Sequence, residues 1–456
     1  MRQTNVGRLF FLIFALIVCS QVFLPPAVGS ANNADFGKIA GAFDLAVPQE
    51  GNEIGRFAYL HYVADPRFHL DSGFRSSESL LFRAALGLNR IFGQPSAFDL
   101  RFLGVVHAAI FLGTFWLFLP ALETTPRRIA IPILVLLTFL FSDVMYVAYF
   151  NSIFMDTAGL LFGLATIVFG LRAFLWNRPV DRWLLVLAAI LMVTSKAQHY
   201  PLGIIVAAFL LWKADRLFGP IAAALILIAS AFSSHSAPAN YAAAGCYTVI
   251  FSQLLPDSTD VSGDLYALGL DPTARPLIGT HAYSNDSGLR DPKFARRFER
   301  QVSYGKLGWF LLQRPRQALD LITTRLSEAG RQRPARGNFD PSAGFPPFAE
   351  SKSFALASQW KATVFEGRGA RYLSYALALI AAALALAATS RTALAPIAAL
   401  CATYLTALAV AALADNLDAE RHFLLFDALG DTLLITTVYL AASTVSNIAM
   451  RKITIN

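Results

Sequence analysis

The sequence predicts an all-α protein that threads a membrane about ten times, and three observations carry that expectation. First, 55% of its 456 residues are hydrophobic and only 15% are charged, against roughly 25% charged in a typical soluble domain; the mean hydropathy is +0.51. Second, apolar runs that approach the ~20 residues needed to cross a bilayer recur along the chain. Third, positive residues collect on alternate connections between those runs. With the first helix running outward, the inner segments hold Arg2, Arg8, Arg127, Arg128, Arg172, Arg178, Arg182, Lys213, Arg216, Arg391, Arg451 and Lys452, whereas the short outer loops hold only Lys196 and Arg421. That asymmetry follows the positive-inside rule.

The first span, Leu9–Leu24, is preceded by Arg2 and Arg8 and ended by Pro25-Pro26. Ala27-Val28-Gly29-Ser30 has the small residues of a signal cleavage site, but the apolar run is long for a signal, and the segment reads as a retained anchor. Further spans are expected at roughly 102–121, 129–141, 157–176, 183–195, 201–213, 219–232, 372–389, 393–413 and 423–442. Those at 183–195 and 201–213 are short and flank Lys196–Tyr200; as half-helices that turn back together they would lower the count by two. The chain therefore divides into a first transmembrane helix (1–24), a first external loop (25–101), a transmembrane core (102–232), a large external loop domain (233–371) and C-terminal transmembrane helices (372–456).

In the first external loop, Leu80, Leu81, Ala84, Leu86 and Leu88 sit among Arg83 and Arg90, the pattern of an interfacial amphipathic helix or of one packed on its own loop. The second loop is mixed but mainly helical. Trp309, Phe310, Leu319, Ile322 and Leu326 fall near helical spacing, interrupted by Pro315. Its cations (Arg296, Arg297, Arg300, Lys306, Arg314, Arg316, Arg325) suit anionic headgroups or simply a solvated face. Three scattered cysteines give no disulfide or zinc spacing, and the modest net charge of +8 comes with no nucleic-acid motif.

Four polar clusters sit at membrane edges, all on the outer face of this topology. They are Asn32–Asp35; Asp143 with Tyr146, Tyr149, Asn151 and Asp156; Ser195–Tyr200, with Lys196, Gln198 and His199; and Asp415–His422, with Glu420, Arg421 and His422. Ionisable residues placed so are costly unless they serve a site. Each cluster also has a structural reading: helix capping for Asn32–Asp35, Asp143 and Asp156, snorkelling for Lys196, a hydrogen-bonded structural role for His199, a local pair for Glu420 and Arg421. Asp427 and Asp431, four apart in the last span, are expected to face a polar cavity rather than lipid. The chemistry that fits is group transfer from a phosphate-bearing lipid. A carboxylate such as Asp35 deprotonates an acceptor hydroxyl, Lys196 and Arg421 hold the leaving phosphate, and side chains such as Asn33, Tyr149, Asn151 and Gln198 bind sugar hydroxyls. Asp143, Asp156, His199, Glu420 and His422 complete the substrate-contact candidates.

The arrangement resembles the GT-C superfamily of polyprenyl-phosphate-sugar-dependent membrane glycosyltransferases along nearly the whole chain. The features that carry the resemblance are one helix after a short inner N-terminus, an acidic residue early in a long external loop with surface helices, a many-span core, and Ala419-Glu420-Arg421-His422-Phe423 before a final helix. Tyr266-Ala267-Leu268-Gly269-Leu270 and Ser303–Pro315 are similar to segments of bacterial membrane hexosyltransferases of surface-glycan assembly. The resemblance implies a multi-pass enzyme of the bacterial inner membrane working on its external face. The donor would be a sugar on a polyprenyl phosphate, and the acceptor a glycan, lipid or protein. Asp35 would be the catalytic aspartate, with Arg421 and Lys196 on the donor phosphate. The first loop lacks an acidic neighbour beside Asp35, so the resemblance admits a divalent metal without requiring one, and Asp44 and Glu53 stand as fallback acids. Two other readings stay open: a polysaccharide polymerase or ligase using a diphosphate-linked donor, for which the basic second loop would clamp phosphates, and a transporter or flippase, which would place charges nearer the midplane.

Overall fold

A chain inside lipid must satisfy its backbone within itself, so apolar runs become helices. The computed structural model describes residues 3–46, 54–94, 96–390, 392–413 and 418–455. Arg2, Glu53, Arg391, Asp415 and Asn416 therefore lie outside the described residues. The protein is a helical, multi-pass membrane protein. Among the described residues six helices are long and apolar enough to cross: α1 (Gln3–Phe23), α3 (Arg101–Phe118), α5 (Met155–Trp176), α14 (Gly369–Ala387), α15 (Leu394–Ala412) and the first part of α16 (Leu424–Ile455). A seventh span results if α4 (Arg127–Phe141) is joined to Val144–Asn151 across a bend of 49°.

The expected count of about ten spans is not confirmed by these lengths. The segments expected at 183–195, 201–213 and 219–232 form α6 (Pro179–Val193), α7 (Tyr200–Lys213) and α8 (Phe218–Ser234), of 15, 14 and 17 residues. At about 1.5 Å per residue these reach only ~21–26 Å, short of a ~30 Å hydrocarbon core. They pack on one another through Leu185, Val186, Ala189, Ala207, Leu210 and Ile226.

Both long loops carry helices among the described residues. In the first, α2 (Glu78–Phe92) buries Leu81, Phe82 and Ala85 against α3 and turns Leu80 and Ile91 outward beside Arg83 and Arg90. It is locked to α3 by a fully buried Glu78–His107 contact of 2.9 Å. A small antiparallel pair, β1 (His61–Val63) with β2 (Ala97–Asp99), closes this loop.

The second loop carries α9 (Ala239–Thr248), α10 (Pro292–Gln301), α11 (Tyr304–Leu312), α12 (Pro315–Ala329) and α13 (Leu356–Phe365). Tyr247, Phe251, Phe298, Leu307 and Phe310 form a core of its own. Pro315, expected as an interruption, is the first residue of α12, where its missing N–H costs nothing. Helix α12 lies across the outer ends of α14 and α15.

The two loops are joined by backbone hydrogen bonds. Gly29 N–H donates to Asn338 C=O (2.9 Å), Ala31 N–H to Gly337 C=O (3.0 Å), Gly337 N–H to Gly55 C=O (2.9 Å) and Ala58 N–H to Phe339 C=O (3.0 Å). A side chain at Gly337 would strike the Arg56 carbonyl at 2.0 Å, so only glycine allows this approach.

Candidate active site

The end of the bundle that carries the two long loops, the outer end of the expected topology, gathers charged side chains from five separated segments. After α1 the chain turns at Ala34, which adopts a left-handed conformation (φ 79°). The Asn33 and Asn32 side chains accept hydrogen bonds from the backbone N–H groups of Asp35 (3.0 Å) and Phe36 (3.0 Å). Asp35 is thereby aimed inward. Asp156 comes from the first turn of α5, Lys196 from the extended connection between α6 and α7, and Asp418 and Arg421 from the short helix Ala419–His422 and the residue before it. Arg336 reaches in from the second external loop.

Arg421 is the hub. Its Nη2 lies 2.9 Å from Asp35 Oδ2, its Nη1 2.6 Å from Asp156 Oδ2 and its Nε 2.6 Å from Asp418 Oδ2. The guanidinium also sits over the Phe154 ring, 5.0 Å from its centroid, and Phe154 meets Phe36 edge to face. Lys196 Nζ contacts Asp156 Oδ1 at 3.0 Å and His422 Nδ1 at 3.3 Å. Lys38 holds the other Asp35 oxygen at 2.6 Å. Arg336 holds Asp418 at 2.8 Å, and Asn33 donates to the same carboxylate at 2.8 Å. Four cations (Lys38, Lys196, Arg336, Arg421) thus face three carboxylates (Asp35, Asp156, Asp418).

Most of this is dry. The Arg421, Asp156, Asp418 and Lys196 side chains are 5% exposed or less, whereas Asp35 and Lys38 are 19% and 17% exposed and form the open side. Burial opposes the charge on Asp35, but Arg421, Lys38 and Lys196 outweigh it and hold its pKa below the ordinary carboxylate value. Burial likewise lowers Lys196, against the pull of Asp156. Burial and then the neighbouring Asp418 push Glu420 up to about 7.

Among the described residues, buried Tyr149 Oη and Arg336 Nη1 at the cluster, and Gln198 Nε2 two residues from Lys196, have no hydrogen-bond partner. Tyr149 lies within electrostatic reach of Asp418, Asp156 and Arg421. Such atoms are costly in a closed core and fit a site that receives a polar ligand. His199 adjoins the cluster rather than entering it; its Nδ1 meets Ser195 Oγ at 2.8 Å.

Two candidates are engaged elsewhere. Asp143 accepts from Met145 N–H and Ser358 N–H (both 2.9 Å), capping one short helix and anchoring α13. The Asn151 amide donates to Val22 C=O and Val28 C=O (both 2.9 Å), clamping the exit of α1. Asp44, a fallback acid, is largely exposed and pairs with His69 at 2.7 Å. Asp427 and Asp431 occupy a separate buried network: Asp431 takes Lys361 and Tyr146 (both 2.7 Å), and Asp427 takes Tyr372. Lys38 and Arg336 escaped the sequence reading. Lys38 had a faint signal, three residues after Asp35 on one helical turn; Arg336 is one of several arginines in an irregular stretch. Among the described residues, no three His, Cys, Asp or Glu side chains converge in metal-binding geometry.

Below the charged cluster, on the same helices, lies an apolar groove of about 180 Å³. Gly163 of α5 is seven residues, two helical turns, below Asp156; Met192 of α6 precedes Lys196; Leu429 of α16 is seven beyond His422. Thr166, Thr403 and Thr436 line it but spend their hydroxyls on carbonyls of their own helices.

A family model described as the YfdI N-terminal transmembrane domain matches residues 2–454. No curated protein matches the sequence. Among solved structures, the chain is similar to the archaeal oligosaccharyltransferase AglB from Archaeoglobus fulgidus in complex with an inhibitory peptide and a dolichol-phosphate, at 13% identity and a TM-score of 0.45 over 98% of this chain. A second Archaeoglobus fulgidus oligosaccharyltransferase structure, in complex with zinc and sulfate, matches at 13% identity and a TM-score of 0.41 over 97% of this chain. This chain spans about half the length of each, 51% and 50%.

Proposed function

This chain belongs to the family of the YfdI N-terminal transmembrane domain, and on that premise we propose that it is a membrane glycosyltransferase of the GT-C type, moving a sugar from a polyprenyl-phosphate donor to an extracytoplasmic glycan, lipid or protein acceptor at the bacterial inner membrane. The observation that carries the reading is the excess of cations in a nearly dry cluster seated above an apolar groove. Among the described residues the four cations outnumber by one the carboxylates bonded to them, which invites an anion, and burial makes that invitation strong. A lipid phosphate supplies the anion, and its chain suits the groove beneath.

The site residues divide the work. The donor phosphate binds Arg421, Lys196 and Arg336, whose charge-assisted hydrogen bonds strengthen as the leaving group gains charge. Asp35, the most exposed carboxylate, takes the proton from the acceptor hydroxyl. That oxygen attacks the anomeric carbon while the bond to phosphate breaks and its electron pair leaves with the lipid phosphate. Arg421, Lys38 and Lys196 hold Asp35 in a weakly basic state. A donor phosphate on Arg421 and Lys196 competes with Asp35 for them and raises its basicity, so that donor binding prepares the base. Tyr149, Gln198 and Asn33 suit sugar hydroxyls.

The test is transfer from polyprenyl-phosphate sugars by the purified protein. Asp35→Asn is expected to lose at least a hundredfold in rate, a typical general-base contribution. Asp65→Asn, at an exposed loop pair with Arg67, is expected to match the parent. Undiminished transfer by Asp35→Asn would remove Asp35 from the base role.

A further inference from the structure

The opposite end of the bundle holds a second built feature. Between α1, the end of α3 and the start of α4 lies a cavity of about 160 Å³ lined by Arg8, Arg127, Glu123, Trp116, Gly7 and Ile131. Arg8 and Arg127 come from different helices and share its mouth. Neither has an ion-pair partner among the described residues, and both are exposed. One carboxylate, Glu123, lines it too, leaving one positive charge over. The rest of the wall is apolar and open to the bilayer: Trp116 is 45% and Ile131 37% exposed, and Trp116 is steadied edge to face by Phe11 at 5.0 Å. Trp at the headgroup level, two guanidinium groups beside it and apolar wall beyond match a lipid with a negative head.

We propose that this cavity binds an anionic phospholipid of the inner leaflet, its phosphodiester between Arg8 and Arg127 and one acyl chain along Trp116 and Ile131. This is independent of the glycosyl-transfer reading. The cavity distinguishes a seated lipid from the diffuse attraction that any positive helix end exerts. A water-soluble phosphate shares the charge but has nothing to place on the apolar wall.

Native mass spectrometry of the full chain, released from nanodiscs of equal phosphatidylglycerol and phosphatidylcholine, tests this. Phosphatidylglycerol is expected to remain bound in at least tenfold preference. Arg8→Gln with Arg127→Gln is expected to abolish the preference, and Arg178→Gln with Lys213→Gln, at the same end but off the cavity, to preserve it. Gly7→Leu keeps every charge and has room, since a side chain there first meets Leu119 at 3.9 Å; it is expected to fill the cavity and cut retention likewise. Glycerol phosphate is expected not to compete. Equal retention of both lipids, equal loss in the off-cavity pair, undiminished retention in Gly7→Leu or displacement by glycerol phosphate would each overturn the proposal.

Discussion

The two ends of this bundle treat charge in opposite ways. At the outer end Arg421, Lys196, Asp156 and Asp418 are almost wholly buried, each within bonding distance of an opposite charge. At the inner end Arg8, Arg127 and Arg178 are exposed, and Arg172, paired with the buried Asp181 at 2.7 Å, and Arg182, paired with Asp215 at 2.6 Å, are exceptions. A topogenic cation needs only to stay on its own side of the membrane, so its geometry is loose. A buried one must meet a partner at a set distance, because an unpaired charge out of water is prohibitive. Substitutions at the two ends should therefore differ sharply.

The largest effect is expected from Arg421→Ala, which leaves Asp35, Asp156 and Asp418 facing one another. It should cost about 3–5 kcal/mol, read as a fall in the thermal unfolding midpoint in detergent, and should end sugar transfer. A midpoint equal to the parent's would erase the contrast between the ends.

Next is pH. Burial, then Lys196, hold His199 down to about 4, so it is neutral in the fold at pH 7. The unfolded chain takes up that proton near pH ~6.5. This contribution is complete above ~6.5, declines as pH falls toward ~4 and is flat below, about 3 kcal/mol in all. His199→Gln should flatten that part of the midpoint-against-pH curve; an unchanged slope would place the pH response elsewhere.

Asp156→Asn keeps the shape but leaves Lys196 without its ion-pair partner and Arg421 with two of its three, an expected loss of about 2 kcal/mol, and Lys196→Met in the same background should restore part of it. The smallest effect is expected at the inner end, where Arg178→Gln should stay within about 0.5 kcal/mol; a larger drop in midpoint would show that the inner cations bear load too.

What the chain discloses in its letters follows the same division. Apolar length exposes α1, α3, α5, α14, α15 and α16 directly, because crossing lipid demands a continuous run. The same signal marks 179–234, where the helices are short and their apolar residues pack on one another, because hydropathy cannot tell lipid from protein. Polar residues at apolar edges mark the outer end, yet the mark is blind to use: Asp143 and Asn151 carry it and serve backbone groups, while Asp156 and Lys196 carry it and face each other. The junction of the two external loops leaves little trace, being made mostly by main-chain atoms, with Asn338 and Asp340 adding a side-chain bond each. Arg336, which that junction delivers, could not be told from Arg331 or Arg333.

That junction has a consequence for traffic. Prising the loops apart toward the water would break the whole row of main-chain bonds linking 29–31 and 55–58 to 337–339, whereas a headgroup sliding in from the lipid plane need break none. The aqueous side is thus roofed by main-chain bonds, and on the proposed function a carrier lipid entering from the bilayer plane would leave that roof intact.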